Sequence, residues 1–423
     1  MTNCAELDII LTRHDLPACR VELRIRPAGS ETEQAPQPGI AHIPFQTLLE
    51  LQPQPDAYGR TLAAAIFADD SVHTAFANAR VAAETARAPL QIRLLIPFDD
   101  GELQGLLWET LADPQRDRPL FSDEQVRFAR YLSSDDWTPV APLPRGDLRA
   151  LLAVASPNDL ADYNLADIDV ASELARARVA LGDIPAVDFA GGNPVTLDAL
   201  IDRIHVECPD IVYLVAHGRL APGGPTLWLE NDTGTSAPVK GSELATRLAE
   251  HAHKPRLMVL ASCQSAGAGD SGDGGALTAT GPLLARAGVP AVVAMHGSVS
   301  METVAQFMPI FLRELRDDGQ IDRAMAVARS MVRGRSDWWM PVLFSRLRSG
   351  RLWSETDQHF TPSLLRFEVE RGLSNQFTIR MEFSSVRAET DHTLQDLAAS
   401  FSDSLNILQR VLDHAGNDSQ LIR

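Results

Sequence analysis

Four stretches of this chain are almost continuously apolar. They read LRALLAVAS (148–156), IVYLVAHG (211–218), RLMVLASC (256–263) and PAVVAMHG (290–297). Such runs fit parallel strands buried on both faces, which have no wet side to demand alternation. Helical patterns separate and follow them, at 167–181, 196–207, 241–252, 276–287, 300–317 and 321–333. The alternation predicts an α/β fold, a mostly parallel sheet flanked by helices on both faces. In such a sheet the chemistry collects at the carboxyl ends of the strands.

The flanking regions differ. Residues 21–26, VELRIR, alternate as a half-buried strand does, and QIRLLIPF (91–98) reads as a short apolar strand. Between them, 58–88 is alanine-rich with apolar residues at helical spacings, and a further helical stretch surrounds 106–111. Pro139, Pro142 and Pro144 mark a connection before the first long apolar run. TLWLEND (226–232) fits an edge strand or hairpin. Beyond Glu355, LRFEVE and FTIRMEF read as two antiparallel strands around GLSN, and 390–414 as an amphipathic helix. A length of 423 residues allows about two or three domains. The expected division is an N-terminal α/β region at 1–145, the main α/β domain at 146–352, and a small α+β appendage at 353–423.

Charge and cysteine usage narrow the function. The chain has 38 Lys+Arg against 56 Asp+Glu, a net charge of −18. That excludes a general nucleic-acid binder, whose affinity comes from neutralising phosphates. Cys4, Cys19, Cys208 and Cys263 form no CxxC pair, so neither a disulfide framework nor a zinc ribbon is expected. The first residues, MTNCAELDIILTRHD, lack the basic and apolar regions of a secretory signal, and no window approaches the roughly 20 apolar residues of a membrane span. These features read as a reduced, cytoplasmic protein without a membrane partner.

Two strand ends stop on reactive side chains, Ala216-His217-Gly218 and Ala261-Ser262-Cys263. On neighbouring parallel strands, about 4.8 Å apart, the imidazole and the thiol can meet. The thiolate is the nucleophilic form, and a nearby imidazole can take its proton. Gly218 lets the backbone approach a substrate carbonyl, so the N–H groups of Gly218 and Cys263 are candidate oxyanion donors. No third catalytic group is evident. The plainer alternative is that Cys263 packs as a small hydrophobe and His217 is a satisfied core or surface residue.

Other motifs carry less. Gly267-x-Gly269-x-x-Gly272 matches a dinucleotide fingerprint, but no helix opens directly after it and no carboxylate ends the next strand. Gly269-Asp270-Ser271-Gly272 resembles a serine-protease segment on the wrong fold class, so 264–275 reads as a Gly/Ser/Asp loop beside the site. His205 and Cys208, and His251 and His253, lack the partners of a metal site. No metal and no cofactor are expected. Trp338 and Trp339 read as packing residues, and His296 as a possible border of the pocket.

The passages PDIVYLVAHGRLAPGGPTLWLEND, RLMVLASCQSAGAGD, ARAGVPAVVAMHG and DWWMPVLFSRLRSGRLW occur in the order seen in CHAT-domain proteins. These are caspase-like cysteine peptidases of the clan that includes caspases, separase and gingipains. The resemblance covers 146–352 strongly and the first 145 residues loosely, through GLLWETLADP. It implies a caspase-like core with a degenerate caspase-like half before it. It implies His217 as general base or acid, Cys263 as nucleophile and Gly218 as the oxyanion-hole glycine. Ala261, two residues before the cysteine, stands where relatives often read the substrate side chain, and it has no charge. Met295, His296, Gly297 and Ser298 stand where many relatives have Trp and acidic residues. The expected function is limited, regulated proteolysis of a protein partner, in a bacterial defence or cell-death pathway. Control is expected from a sensor or activator protein in trans, or from sequence outside this chain. The alternative is a catalytically silent scaffold on the same frame.

Overall fold

The computed structural model describes residues 4–14, 18–116, 118–132, 140, 142–189, 193–221, 224–261, 276–296, 299–354, 364–371 and 377–383. The first strands are β1 (Ala5–Arg13), β2 (Ala18–Arg26), β3 (Gly39–His42), β4 (Leu90–Leu95), β5 (Val126–Tyr131) and the short β6 (Leu143–Pro144). Then follow β7 (Ala150–Val154), β8 (Ala186–Asp188), β9 (Ile211–Val215), β10 (His217–Ala221), β11 (Gly224–Glu230) and β12 (Ser236–Lys240). The last are β13 (Leu257–Ala261), β14 (Ala291–Met295), β15 (Pro341–Ser345), β16 (Trp353–Ser354), β17 (Leu364–Arg371) and β18 (Phe377–Phe383). The helices are α1 (Phe45–Leu51), α2 (Pro55–Ile66), α3 (Asp70–Ala86), α4 (Gly101–Gln104) and α5 (Val170–Leu181), then α6 (Leu197–Glu207), α7 (Gly241–Ala249), α8 (Ala276–Arg286), α9 (Met301–Asp318) and α10 (Ile321–Met331).

Among the described residues, eleven strands form one sheet in the order β3-β2-β1-β4-β5-β15-β14-β13-β9-β7-β8. β1, β4, β5 and β15 are mutually parallel. So are β14, β13, β9, β7 and β8. The two sets point opposite ways and meet where β14 pairs antiparallel with β15. β2 and β3 add antiparallel strands at one edge. The carboxyl ends of β9, β13 and β14 therefore share one edge of the sheet.

All five residues of β7, β9, β13, β14 and β15 are buried. A strand buried at every position is covered on both faces, so the continuous apolar runs and the helical patterns between them are one physical requirement. Each fully buried Leu, Val or Met contributes about 1.5–3 kcal/mol. Residues 1–356 form one compact unit, and 357–423 form a second. The second contains β17 and β18, paired antiparallel as their alternation predicts. The expected helix at 390–414 lies outside the described residues. No described helix is long and apolar enough to cross a membrane.

Three local readings change. The alanine-rich region is two helices, because Asp69 ends the first pattern and caps α3 by accepting from Ser71 N at 2.9 Å. The helical stretch near 106–111 is a single 3-10 turn, Trp108–Thr110, with all three residues buried. The apolar run 211–218 is broken: β9 stops at Val215, and His217 starts β10 in a separate three-stranded sheet with β11 and β12.

Gly59 of α2 lies against that 3-10 turn, and a Cβ there would run into the Thr110 carbonyl oxygen. Helix propensity alone would make Gly59→Ala stabilising by about 1 kcal/mol. Thr110 is 1 % exposed and its hydroxyl donates to Leu107 O at 2.6 Å, so the turn has little room to retreat. Overpacking costs about 1–3 kcal/mol and should win. Urea denaturation of Gly59→Ala is expected to give a net loss of about 1 kcal/mol or more, and a gain would mean the turn yields.

Candidate active site

The break in the run 211–218 builds the site. Val215 is the last β9 residue in register with β13, opposite Ala261. Ala216 keeps one link to β13, donating its N–H to Ala261 O at 3.1 Å. The chain then leaves the main sheet and His217 pairs with Trp228 of β11, with Gly218 opposite Leu227. His217 is thus set at the carboxyl edge of the parallel strands, 1 % exposed.

The two imidazole nitrogens of His217 have different surroundings. Nε2 lies 2.7 Å from the carbonyl oxygen of Ala166. A carbonyl can only accept, so Nε2 carries the proton of the neutral ring and Nδ1 carries the lone pair. Nδ1 is enclosed and has no hydrogen-bond partner among the described residues. Burial pushes the His217 pKa below the usual histidine value, opposed by the Ala166 hydrogen bond and the nearby Asp167 carboxylate. The ring is therefore a neutral base at neutral pH.

The loop that presents Ala166 is held along its length. Asp159 Oδ1 accepts from Ser236 N at 2.7 Å and from Ser236 Oγ at 2.6 Å. Asn158 N donates to Gly234 O at 3.0 Å, and Leu160 and Ile168 are buried beneath the loop. Tyr163 packs edge-on against Trp228 at 6.0 Å between ring centroids. At the far end Asp169 caps α5, accepting from Ser172 N at 3.0 Å. The orientation of His217 thus rests on a main-chain atom, which no side-chain pattern advertises. The nearest sequence signal is the run of Asp159, Asp162, Asp167 and Asp169, two of which act as anchors.

The other expected residues fall as follows. Ala261 ends β13, 1 % exposed. His296 follows β14 one strand further along the same edge, its N–H donating to Met340 O at 2.7 Å. Its half-buried ring lies 5.5 Å from that of Trp339. Burial and the Arg130 guanidinium push its pKa down to about 4, against the opposing pull of Glu109. His217, Gly218, Ala261 and His296 thus share one edge, while His296 faces the seam between the two strand sets. Cys263, the two glycine motifs of 267–272, Gly297 and Ser298 lie outside the described residues.

Elsewhere, Cys208 is exposed and donates to His205 O at 3.3 Å, and His253 Nε2 sits 3.1 Å from Pro209 O. No group of three or more His, Cys, Asp or Glu among the described residues is placed to hold a metal. Trp338 and Trp339 are buried, at 3 % and 5 % exposed.

The profile of the CHAT domain family matches residues 56–359. No curated protein gives a significant match. Similar solved structures include the Arg-specific cysteine proteinase gingipain R, at 12% identity and a TM-score of 0.38, covering 66% of this chain and 67% of that one. The complex of RgpB pro- and mature domains from Porphyromonas gingivalis has 12% identity and a TM-score of 0.39, covering 78% and 82%. The Saccharomyces cerevisiae separase–securin complex has 11% identity and a TM-score of 0.35, covering 73% of this chain and 20% of that one.

Proposed function

The chain belongs to the CHAT domain family, and from that premise we propose that it is a cysteine endopeptidase with Cys263 as nucleophile and His217 as its base. The observation that carries this reading is the state of His217. One nitrogen is fixed on Ala166 O, while the other, Nδ1, is buried, unprotonated and without a described partner. A buried acceptor left unmet costs about 1–3 kcal/mol, and the Cys263 thiol is the partner proposed for this one. Val215 pairs with Ala261, and His217 and Cys263 each lie two residues further along their strands' sequences.

In the proposed reaction Nδ1 takes the Cys263 proton and the sulfur attacks the scissile carbonyl carbon. The N–H groups of Gly218 and Cys263 stabilise the oxyanion. The imidazolium returns its proton to the leaving amine as the C–N bond breaks. Water, deprotonated by the same nitrogen, then hydrolyses the thioester and regenerates the thiol. Ala166 O stabilises the imidazolium, and Ala261 and His296 border the substrate pocket. The substrate is a protein partner, cut at limited positions under a sensor or activator protein. The resemblance of the motifs to bacterial CHAT proteins supports a cytoplasmic role in defence against viruses or in cell death.

Labelling by a thiol-directed electrophile, in the presence of the activator, tests the pairing. Cys4 and Cys19 are buried, and Cys208 is the exposed control. Cys263 is expected to react at least about tenfold faster than Cys208, because a neighbouring base raises its thiolate fraction. Since the His217 pKa is lowered, the base form persists and the fast reaction should extend below pH 6.5. His217→Ala should bring Cys263 to the Cys208 rate. An unchanged rate at Cys263 in that variant would remove His217 from the mechanism and favour a non-catalytic scaffold.

A further inference from the structure

We propose that Asp159 and Glu230 are positioning residues for His217, a role that rests on the reading of this imidazole as the base. Their carboxylates tie the loop that carries Ala166 to the same hairpin that pairs with His217.

The path closes on itself. His217 of β10 pairs with Trp228 of β11, two residues before Glu230, and Glu230 pairs with Ser236 of β12. At that end of the hairpin both anchors meet the loop that follows β7. Glu230 Oε1 accepts from Ser156 N at 2.9 Å. Ser236 donates its N–H and its hydroxyl to Asp159 Oδ1, at 2.7 and 2.6 Å. Ser156 in turn joins the start of the loop to its end, its hydroxyl accepting from Ile168 N at 3.3 Å. Two residues before Ile168, the carbonyl of Ala166 lies 2.7 Å from His217 Nε2. Donor and acceptor of that last bond are therefore built on one frame.

The frame is fixed where the anchors attach. Asn231 Oδ1 accepts from Thr233 N at 3.0 Å and Thr235 N at 3.1 Å, so the turn between β11 and β12 is held by its own side chain. The middle of the loop, 161–164, is exposed. A segment with so little burial opens easily unless polar contacts hold it.

Asp159 and Glu230 differ in how many oxygens they use. Both bonds to Asp159 fall on Oδ1, which an asparagine also supplies. Glu230 uses both oxygens, Oε1 for Ser156 N and Oε2 for Val195 N at 2.5 Å. Glutamine has one acceptor oxygen, so its amide NH2 would face one of these N–H groups and leave it unmet. Two replacements that remove the same charge should therefore act oppositely.

Hydrogen exchange of the His217 ring N–H tests this, read by NMR on the full chain carrying isotope-labelled histidine and identified by its loss in His217→Ala. Protection is expected in the wild type and in Asp159→Asn. Exchange should be at least about tenfold faster in Asp159→Ala and Glu230→Gln, because the lost anchors let the loop open. The main-chain N–H of His296, bonded to Met340 O at 2.7 Å, carries the same label and should keep its wild-type rate, which separates loop opening from global unfolding. An unprotected ring N–H in the wild type, a ring rate within about twofold of wild type in either Asp159→Ala or Glu230→Gln, or equal acceleration in Asp159→Asn and Asp159→Ala would overturn the assignment. The readout is independent of Cys263. Slow alkylation of the wild-type thiol, with the ring N–H behaving as expected, would remove the peptidase reading and leave the positioning in place.

Discussion

Replacing Cys263 by alanine is expected to abolish peptide-bond cleavage, lowering kcat/KM at least about 10³-fold, while leaving the melting temperature close to that of the wild type. Removing the nucleophile of a dyad removes the covalent step itself, and only binding and oxyanion stabilisation remain to accelerate the reaction. Stability should hold because alanine is smaller and apolar, and the fully buried β13 core, Leu257 to Ala261, ends before the substituted position. His217→Ala should lose comparable activity, because the two groups act as a unit. It should also lose stability, since the ring is 1 % exposed and bonded to Ala166 O. The pair of variants therefore separates chemistry from folding. The check is cleavage of a co-expressed protein partner, followed beside thermal denaturation. Undiminished cleavage by the alanine variant at Cys263 would show that the thiol is not the nucleophile.

The largest stability effect is expected from Glu109. This carboxylate is 0 % exposed in the 3-10 turn and holds Arg130 of β5 by two bonds, Nε to Oε1 at 3.0 Å and Nη2 to Oε2 at 2.5 Å. Arg130 is satisfied further by Gln104 O at 2.6 Å and Leu106 O at 3.1 Å, and its guanidinium lies 5.6 Å from the centre of the Phe344 ring. A second buried guanidinium, Arg329 of α10, is near enough that its pKa responds to both partners. Burial and the Arg130 charge push it down to about 10, and Glu109 pulls it back up. Arg329 Nη2 donates to Pro341 O at 2.7 Å, the first residue of β15. Glu109 is therefore the paired carboxylate of the buried Arg130 at the seam where the strand sets join, and its charge also acts on Arg329.

Glu109→Ala leaves the buried Arg130 without its carboxylate in a low-dielectric interior, and breaking a buried pair costs about 3–5 kcal/mol. Guanidinium chloride denaturation should give a loss in that range. A matched replacement of Glu109 and Arg130 by apolar residues of similar volume should recover most of it, because the desolvation cost then disappears with the charges. A loss below about 1 kcal/mol for Glu109→Ala would mean that water reaches the pair.

The legible and illegible parts of this protein divide by range. β7, β9, β13 and β14 were evident as apolar runs, because burial on both faces leaves its mark on every residue of a strand. The strands β17 and β18, which pair antiparallel, are legible from their alternation. The break between Val215 and His217 was not, because Ala216 and Gly218 are as acceptable inside a strand as at a turn. It is set by the single bond from Ala216 N to Ala261 O and by the pairing of His217 with Trp228.

The amino-acid sequence by itself determined the α/β alternation and the choice of His217 and Cys263 as candidates at the carboxyl ends of strands, since these follow from local patterning and from motif order. Tertiary structure decided the rest. It joined β15 parallel to β5, so that 126–131 and 341–345 complete one sheet. It brought the carbonyl of Ala166 to His217 across 51 positions, fixing which nitrogen carries the proton of the neutral ring. A backbone carbonyl has no residue type, and a register between distant strands has no local signature. Such contacts exist only once the chain has closed on itself.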